Sequence, residues 1–184
     1  MGKHLIRNCL GWHSPLATLA TGARHEQGFQ GIPAERLELL RESAVLHDIG
    51  KLGVEERILN KVEPLTDAEW AAVRKHPVIA EDILAPILLN KELLAVIRGH
   101  HERYDGAGYP DGLKGSSIRL FAQILSVADS YDAMTSLRSY RPAFKHEKAM
   151  EELIRHRNSQ FSGEIVDAFI TVMNERASGG GSRV

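Results

Sequence analysis

Residues 34–50 read AERLELLRESAVLHDIG, and this stretch has the pattern of one amphipathic helix. Leu37, Leu40 and Ala44 recur at the spacing that places side chains on a single helix face. The helix is predicted to cover about 34–48, so it ends in the pair His47-Asp48, which emerges directly from a core-facing segment. A histidine and a carboxylate in that position are candidates for a buried functional site.

The same helical spacing continues along most of the chain. Strand signals are almost absent, because Val, Ile and Thr do not alternate with polar residues over any convincing run. The sequence therefore predicts an all-α fold, a single helical bundle of about seven to nine helices covering 1–177, with a less regular first helix in 1–30 and a flexible Gly/Ser tail at 178–184. Further helices are predicted over about 66–76, 77–84, 91–102, 116–135, 145–157 and 164–176, the first opened by a Thr66–Glu69 capping box.

Charge and composition narrow the function classes. The 184 residues carry 23 Lys and Arg against 24 Asp and Glu, which argues against general binding to DNA or RNA backbones. A single cysteine, Cys9, excludes an internal disulfide. No apolar run approaches a membrane span, and the polar residues near the start do not fit a secretion signal. A cytoplasmic protein without a membrane span is expected.

One segment interrupts the helices. Residues 103–115, RYDGAGYPDGLKG, contain four glycines and a proline and must form a loop. A loop of this length inside a compact domain is usually functional. Tyr104 and Tyr109 argue against a mobile linker, since disordered segments rarely carry aromatic residues.

Several histidines and acids stand inside apolar helical surroundings. Asp129 follows the apolar run 124–128, where a carboxylate is costly to bury unless it is paired or bound to a cation. Adjacent ligands on a helix point about 100° apart. The two adjacent pairs, His47-Asp48 and His100-His101, therefore favour two ions over a single ion. Imidazole and carboxylate together suit Fe, Mn, Zn, Co or Ni. The candidate ligands are His47, Asp48, His76, His100, His101 and Asp129.

Each of these residues also has an ordinary interpretation. A lone histidine is usually a core or surface residue, and Asp129 could pair with an arginine in a helix interior. Lys51 could be a helix-terminal lysine favoured by the macrodipole. Arg138 and Arg141 could be a solvated pair. Taken together, four separate polar positions in apolar helical surroundings favour the metal site. They are His47-Asp48, His76, His100-His101 and Asp129.

Three blocks of the sequence resemble the HD-GYP family, within the HD superfamily of metal-dependent phosphohydrolases. The resemblance runs from about 33 to 173, and its most specific part is the second block. It implies an HD-domain type of helical fold and hydrolysis of cyclic di-GMP to linear pGpG, to GMP, or to both. The blocks are HDIGK at 47–51, HHERYDGAGYP at 100–110, and VADSYDAMTS at 127–136 followed by Arg138, Tyr140 and Arg141.

The resemblance also implies a ligand set. Carried over by position, the ligands are the six candidates already named, together with a histidine on the first helix. His13 is the better match for that histidine, and His4 is the competitor. Some family members hold a third ion with a glutamate one turn earlier; Cys9 occupies that position here, which favours two ions. Fe or Mn is expected, with Zn, Ni and Co as alternatives.

Roles for the remaining residues follow from the same blocks. Asp48, Lys51 and Asp132 are the expected catalytic residues, with Lys51 also holding a phosphate oxygen and Asp132 orienting or protonating a group. Tyr109 would contact a base. Arg138 and Arg141 would grip the second phosphate or a guanine edge.

Two further readings of function stay open. The substrate could be a related cyclic dinucleotide such as 3',3'-cGAMP, or the chain could be a catalytically weak module that binds a cyclic dinucleotide. The family commonly carries an N-terminal receiver or sensor domain that is not recognisable here, so the chain is expected to be a fragment or a free-standing domain. Expected partners are GGDEF-type cyclase domains at the Gly-Tyr-Pro loop and a second copy of the chain.

Overall fold

The computed structural model describes residues 34–137 and 142–179, which are mainly helical and contain no strand. The all-α prediction is therefore confirmed. The predicted first helix, with His4 and His13, lies outside the described residues, as do Arg138 and Arg141. The helices are α1 Ala34–Leu46, α2 Glu56–Leu59, α3 Asp67–Val73, α4 His76–Leu84, α5 Lys91–Gly99, α6 Leu120–Thr135, α7 His146–Arg155 and α8 Gly163–Gly179, with 3-10 turns η1 Ile49–Gly53 and η2 Gly115–Ser117.

The core is built around α6, which packs against α1, α5, α7 and α8. Its buried side chains include Phe121, Leu125 and Ala128, the last two with no exposed surface. Long apolar helices of this kind are stable only when other helices cover them, and burial of each large aliphatic side chain contributes about 1.5–3 kcal/mol. Asp129 follows Ala128 directly, so the central helix carries a carboxylate to the edge of the core.

The first helix described ends two residues earlier than predicted, at Leu46 rather than 48. The chain then tightens into η1, because it has to pass directly over the start of α4. A Cβ atom on Gly50 would lie 1.9 Å from the carbonyl oxygen of His76 and 2.6 Å from the amide nitrogen of Ala80. Only glycine permits this approach, which brings His47-Asp48 next to His76.

Other helix bounds also differ from the sequence prediction. The capping box is confirmed, since Thr66 accepts a hydrogen bond from the Glu69 amide and the Glu69 carboxylate accepts one from the Thr66 amide. However, α3 ends at Val73 and a new helix begins at His76, one residue before Pro77.

The two helices that flank the loop are shorter than predicted. The predicted helix over 91–102 ends at Gly99, because the chain turns there into the loop. The start predicted near 116 is a separate 3-10 turn, and α6 begins at Leu120. At the C-terminus α8 reaches Gly179, and the rest of the predicted tail lies outside the described residues.

Within the described residues, no helix has both the length and the apolar character that a bilayer crossing requires.

Candidate metal centre

Three helix ends and one helix interior bring their polar residues to one place. His47 and Asp48 follow α1, His76 opens α4, His100 and His101 follow α5, and Asp129 lies within α6. The imidazole rings of His100 and His101 lie 4.0 Å apart between centroids, His100 is 5.0 Å from His47, and His101 is 4.9 Å from His76. All six described candidate ligands therefore belong to one cluster.

The adjacent pairs His47-Asp48 and His100-His101 directly follow the last residues of α1 and α5. The His100 and His101 rings are tilted by 43° to each other, and both belong to the cluster. That two pairs of adjacent ligands favour two ions stays a prediction.

Three of the imidazoles are oriented in the same way by the backbone. Each ring places its Nδ1 against the carbonyl oxygen three residues earlier, which is a carbonyl of the final turn before that histidine. Such a bond makes Nδ1 the donor and leaves Nε2 for the cluster, as is usual for histidines that bind metals. The pairs are His47 with Ala44 at 2.8 Å, His76 with Val73 at 2.8 Å and His100 with Ile97 at 2.6 Å.

The Nε2 atoms of His76 and His100 face each other at 3.4 Å. Because both rings donate through Nδ1, these two nitrogens present lone pairs to each other, an arrangement that a shared cation stabilises. Two nitrogen ligands about 2.1 Å from one ion lie about 3.0–3.4 Å apart at octahedral to tetrahedral angles. The observed separation fits two ligands of the same ion.

Asp48 connects the two sides of the cluster. Its Oδ1 lies 3.5 Å from the Nε2 of His76, and its Oδ2 lies 3.6 Å from the Nε2 of His47. Donor atoms fall into two groups that share His100, one completed by His76 and His101 and the other by His47 and Asp48, each within 4.8 Å. The two Asp48 oxygens therefore face a histidine of each group.

Burial keeps most of the histidines neutral, which is the form that binds metal. It lowers the pKa of His76, lowers that of His100 well below its usual value, and lowers that of His101 to about 4. The charges of neighbouring histidines lower the pKa values of all three further. These rings are therefore ready to act as ligands at neutral pH.

His47 behaves differently because two acids flank it. Burial opposes its charged form, but the negative charges of Asp129, whose Oδ1 lies 3.8 Å from the His47 Nε2, and of Asp48 raise its pKa to about 9. Burial likewise disfavours the ionised carboxylates, yet the positive charge of His47 keeps the pKa of Asp129 and of Asp48 below the usual value. The cluster therefore favours positive charge beside His47, where a metal ion would replace a proton.

Lys51 and Tyr109 contact residues of the cluster. The Lys51 ammonium donates to Asp48 Oδ2 at 2.5 Å. The Tyr109 ring stacks on His101, with 4.9 Å between centroids and 29° between planes, so the loop reaches the centre. Asp132 lies three residues after Asp129 on α6 and is partly buried.

The loop is fixed by a residue whose role the sequence did not reveal. Glu102 is only 2% exposed, and its two carboxylate oxygens accept hydrogen bonds from the amides of Asp111, at 2.7 Å, and Leu113, at 3.0 Å. Gly108 packs against the backbone of Glu102 and Arg103. A Cβ atom on Gly108 would lie 2.2 Å from the Arg103 amide nitrogen. The one available signal was a glutamate directly after the histidine pair.

More contacts hold the outer part of the loop. The backbone amides of Tyr104 and Asp105 donate to the carbonyls of Gln160 and Ser159, at 3.0 and 2.8 Å. The Arg103 guanidinium forms two bonds to the Asp105 carboxylate. The segment between α7 and α8 therefore holds the first residues of the loop through backbone hydrogen bonds.

A family model described as HD domain matches residues 20–165 of this chain. Among curated proteins, the chain is 39% identical over 143 residues to a cyclic di-GMP phosphodiesterase of Vibrio cholerae serotype O1, covering 74% of this chain and 29% of that protein. It is 41% identical over 137 residues to a cyclic di-GMP phosphodiesterase of Thermotoga maritima, covering 72% and 37%.

A third relative, the 3'3'-cGAMP-specific phosphodiesterase 3 of Vibrio cholerae serotype O1, is 39% identical over 135 residues, covering 73% of this chain and 29% of that protein. The chain thus spans well under half the length of these relatives.

Among solved structures, Bd1817, an HDG"Y"P protein from Bdellovibrio bacteriovorus, superimposes with a TM-score of 0.67 at 17% identity, covering 86% of this chain and 50% of that chain. A cyclic GMP-AMP specific phosphodiesterase of V. cholerae gives 0.65 at 16% identity, covering 97% and 46%. At these identities the likeness concerns the fold alone.

Proposed function

Because this chain belongs to the HD domain family, we propose that it hydrolyses a phosphodiester bond of a cyclic dinucleotide at a centre of two divalent metal ions. The HD-GYP resemblance seen in the sequence agrees with the HD domain family match and with relatives of 39% and 41% identity that are named cyclic di-GMP phosphodiesterases. The activity of the whole protein is inferred from relatives that are much longer than this chain.

The observation that carries the proposal is the position of Asp48 between His47 and His76, with His100 shared by the two groups of donors. Imidazole and carboxylate ligands suit Fe and Mn, with Zn, Ni and Co as alternatives. His47, Asp48, His76, His100, His101 and Asp129 would hold the ions, joined by a first-helix histidine, His13 or His4.

When bound, the ions neutralise charge on the phosphate and lower the pKa of a water to near neutrality. Hydrolysis forms a bond from the water oxygen to phosphorus and breaks the bond from phosphorus to the ribose oxygen, which takes a proton. Lys51 would bind a phosphate oxygen, because its ammonium group already lies at the edge of the cluster. Asp132 would orient or protonate the leaving group.

The substrate contacts beyond the reacting phosphate are assigned to three further residues. Tyr109 would contact a base, since its ring covers His101 and faces the approach to the cluster. Arg138 and Arg141, which lie outside the described residues, would grip the second phosphate or a guanine edge.

The proposed substrate is cyclic di-GMP, hydrolysed to linear pGpG, to GMP, or to both. Relatives with this printed activity, at 39% and 41% identity, support it. A relative at 39% identity that is specific for 3'3'-cGAMP makes that mixed ring the second candidate. A binding module without turnover is the remaining alternative.

The test is an assay of anaerobically purified protein, reconstituted with Fe or Mn, on cyclic di-GMP and 3'3'-cGAMP, with elemental analysis of the same sample. We expect about two ions per chain and turnover of at least one ring. Asp48→Asn should abolish turnover, whereas Asp82→Asn, which changes an exposed aspartate on α4, should not. Full occupancy without turnover would reject the enzyme, and affinity without product would indicate a binding module.

GGDEF-type cyclase domains at the loop, a homodimer and a cytoplasmic location stay predictions of the sequence.

A further inference from the structure

Arg74 is an exposed residue whose guanidinium lies over the Tyr109 ring, which stacks on His101 of the cluster. Arg74 is the C-cap residue of α3 and lies two residues before His76. The short connection between α3 and α4 therefore holds an exposed guanidinium next to a buried candidate metal ligand. The Arg74 Cζ lies 5.7 Å from the centroid of the Tyr109 ring and 5.9 Å from that of the Trp70 ring. Both distances are within the range of a cation–π contact.

Arg74, Tyr109 and His101 form a continuous series of contacts that leads to the cluster. The guanidinium of Arg74 lies over Tyr109, and Tyr109 stacks on the ligand candidate His101. The Trp70 ring, also within cation–π distance of the guanidinium, is 46% exposed. A substrate with one phosphate at the ions would therefore extend its neighbouring ribose and base along aromatic side chains toward Arg74.

Among the described residues, Arg74 contacts aromatic rings and not acids. Two other arginines near the loop are fully engaged: Arg98 forms a two-bond pair with Asp111, and Arg103 does so with Asp105. Across residues 34–137 and 142–179, Arg74 forms no ion pair with any carboxylate. Its planar set of N–H donors is therefore available to a ligand.

We propose that Arg74, within cation–π distance of both Trp70 and Tyr109, binds the acceptor edge of a substrate guanine and sets a preference for guanine over adenine. This inference rests on the proposed function. Guanine presents two adjacent acceptors, O6 and N7, that match the guanidinium fork, whereas adenine presents a donor in place of O6. The aromatic surroundings favour a flat base over a phosphate, and the base is the only part of the substrate that differs between the two candidate rings.

The experiment compares Arg74→Ala and Arg74→Lys with wild type in the full chain loaded with Mn. The substrates are cyclic di-GMP, cyclic di-AMP and bis(p-nitrophenyl) phosphate, which has a phosphodiester but no base. For Arg74→Ala we expect kcat/KM on cyclic di-GMP to fall about 10- to 100-fold, with a smaller loss on cyclic di-AMP and none on the base-free ester. Arg74→Lys keeps the charge but loses the fork, so it should lose the guanine preference as well.

The matched control is Arg155→Ala, which removes an exposed arginine on α7 and should change none of the three activities. No loss on cyclic di-GMP would overturn the proposal. Equal losses on both cyclic dinucleotides would assign Arg74 to a phosphate and also overturn it, as would an equal loss on all three substrates.

Binding separates this inference from the proposed function. Calorimetry with 5'-GMP and 5'-AMP should give wild type a preference for GMP that Arg74→Ala loses. If wild type turned over neither ring, the proposed function would fail, yet a GMP preference that depends on Arg74 would still support the subsite. Equal affinities of wild type for GMP and AMP would overturn the subsite whatever the activity.

Discussion

The metal cluster and the Gly-Tyr-Pro loop lie side by side but are held in opposite ways. In the cluster, side-chain nitrogens of His47, His76 and His100 are oriented by backbone carbonyls of the preceding turn. In the loop, the Glu102 side chain holds the backbone amides of Asp111 and Leu113, while backbone carbonyls hold those of Tyr104 and Asp105. The cluster is therefore as rigid as the ends of its helices, whereas the part of the loop at 111–113 depends on a side chain that one substitution removes.

The largest effect is expected from His100→Ala, because both groups of candidate ligands include this ring. Loss of the ions removes several kcal/mol of transition-state stabilisation, so kcat/KM should fall roughly 10³-fold or more. Elemental analysis should give fewer than about two ions per chain in the same sample. His156→Ala, a histidine outside the cluster, should retain metal and activity. A His100→Ala protein with a full metal complement would contradict the shared-ligand arrangement.

The next largest effect tests the loop through its backbone. In Gly108→Ala the new Cβ would lie 2.2 Å from the Arg103 nitrogen and 2.6 Å from the Glu102 Cα, so the loop has to move. A displacement of about 1 Å near the centre can lower kcat/KM about 10²-fold. Metal content should be unchanged, because no ligand is touched.

Gly112→Ala is the matched control for that clash. Gly112 has a φ of +66°, but the nearest atom to an added Cβ is 3.6 Å away, so strain without a clash is expected. Its free energy of unfolding should fall by about 1–2 kcal/mol, and its activity should change far less than that of Gly108→Ala. Similar activities for the two variants would mean that the loop position does not matter for catalysis.

The same contrast explains what the sequence could predict. The ligand candidates were identifiable because histidines and a carboxylate in apolar helical segments are costly unless they share a cation. The helices were identifiable from their spacing, and the ordered loop from its glycines and tyrosines. All of these are local signals, readable within a few residues of the feature they predict.

What could not be predicted depends on contacts between distant segments. The early end of α1 follows from Gly50 packing on α4, and the early end of α5 from the loop that begins there. Glu102 has an ordinary helical context, and its partners lie 9 and 11 residues away across a turn. Arg74 becomes notable only when Tyr109 is placed beneath it. No single-segment pattern carries this information.

Glu102→Ala should have a smaller effect on activity than Gly108→Ala but a clear effect on stability. It leaves the part-buried amides of Asp111 and Leu113 without their acceptor, which lowers the free energy of unfolding by about 2 kcal/mol. We expect kcat/KM to fall about tenfold, because the backbone bonds to Ser159 and Gln160 still hold part of the loop. Denaturant unfolding and steady-state kinetics measure the two effects. Glu151→Ala, an exposed glutamate on α7, is the control and should change neither.

The smallest expected effect comes from Arg98→Ala, which removes the guanidinium that joins Glu81 and Asp111 at the outer edge of the loop. The three side chains are each about one third exposed, so solvent screening limits the contribution of each ion pair to stability to about 1 kcal/mol or less. Because Glu102 still holds the Asp111 amide, kcat/KM should stay within about threefold of wild type. If Arg98→Ala instead matched Glu102→Ala in both stability and activity, the loop would be held by its exposed ion pairs, and the contrast drawn between buried and exposed anchors would be wrong.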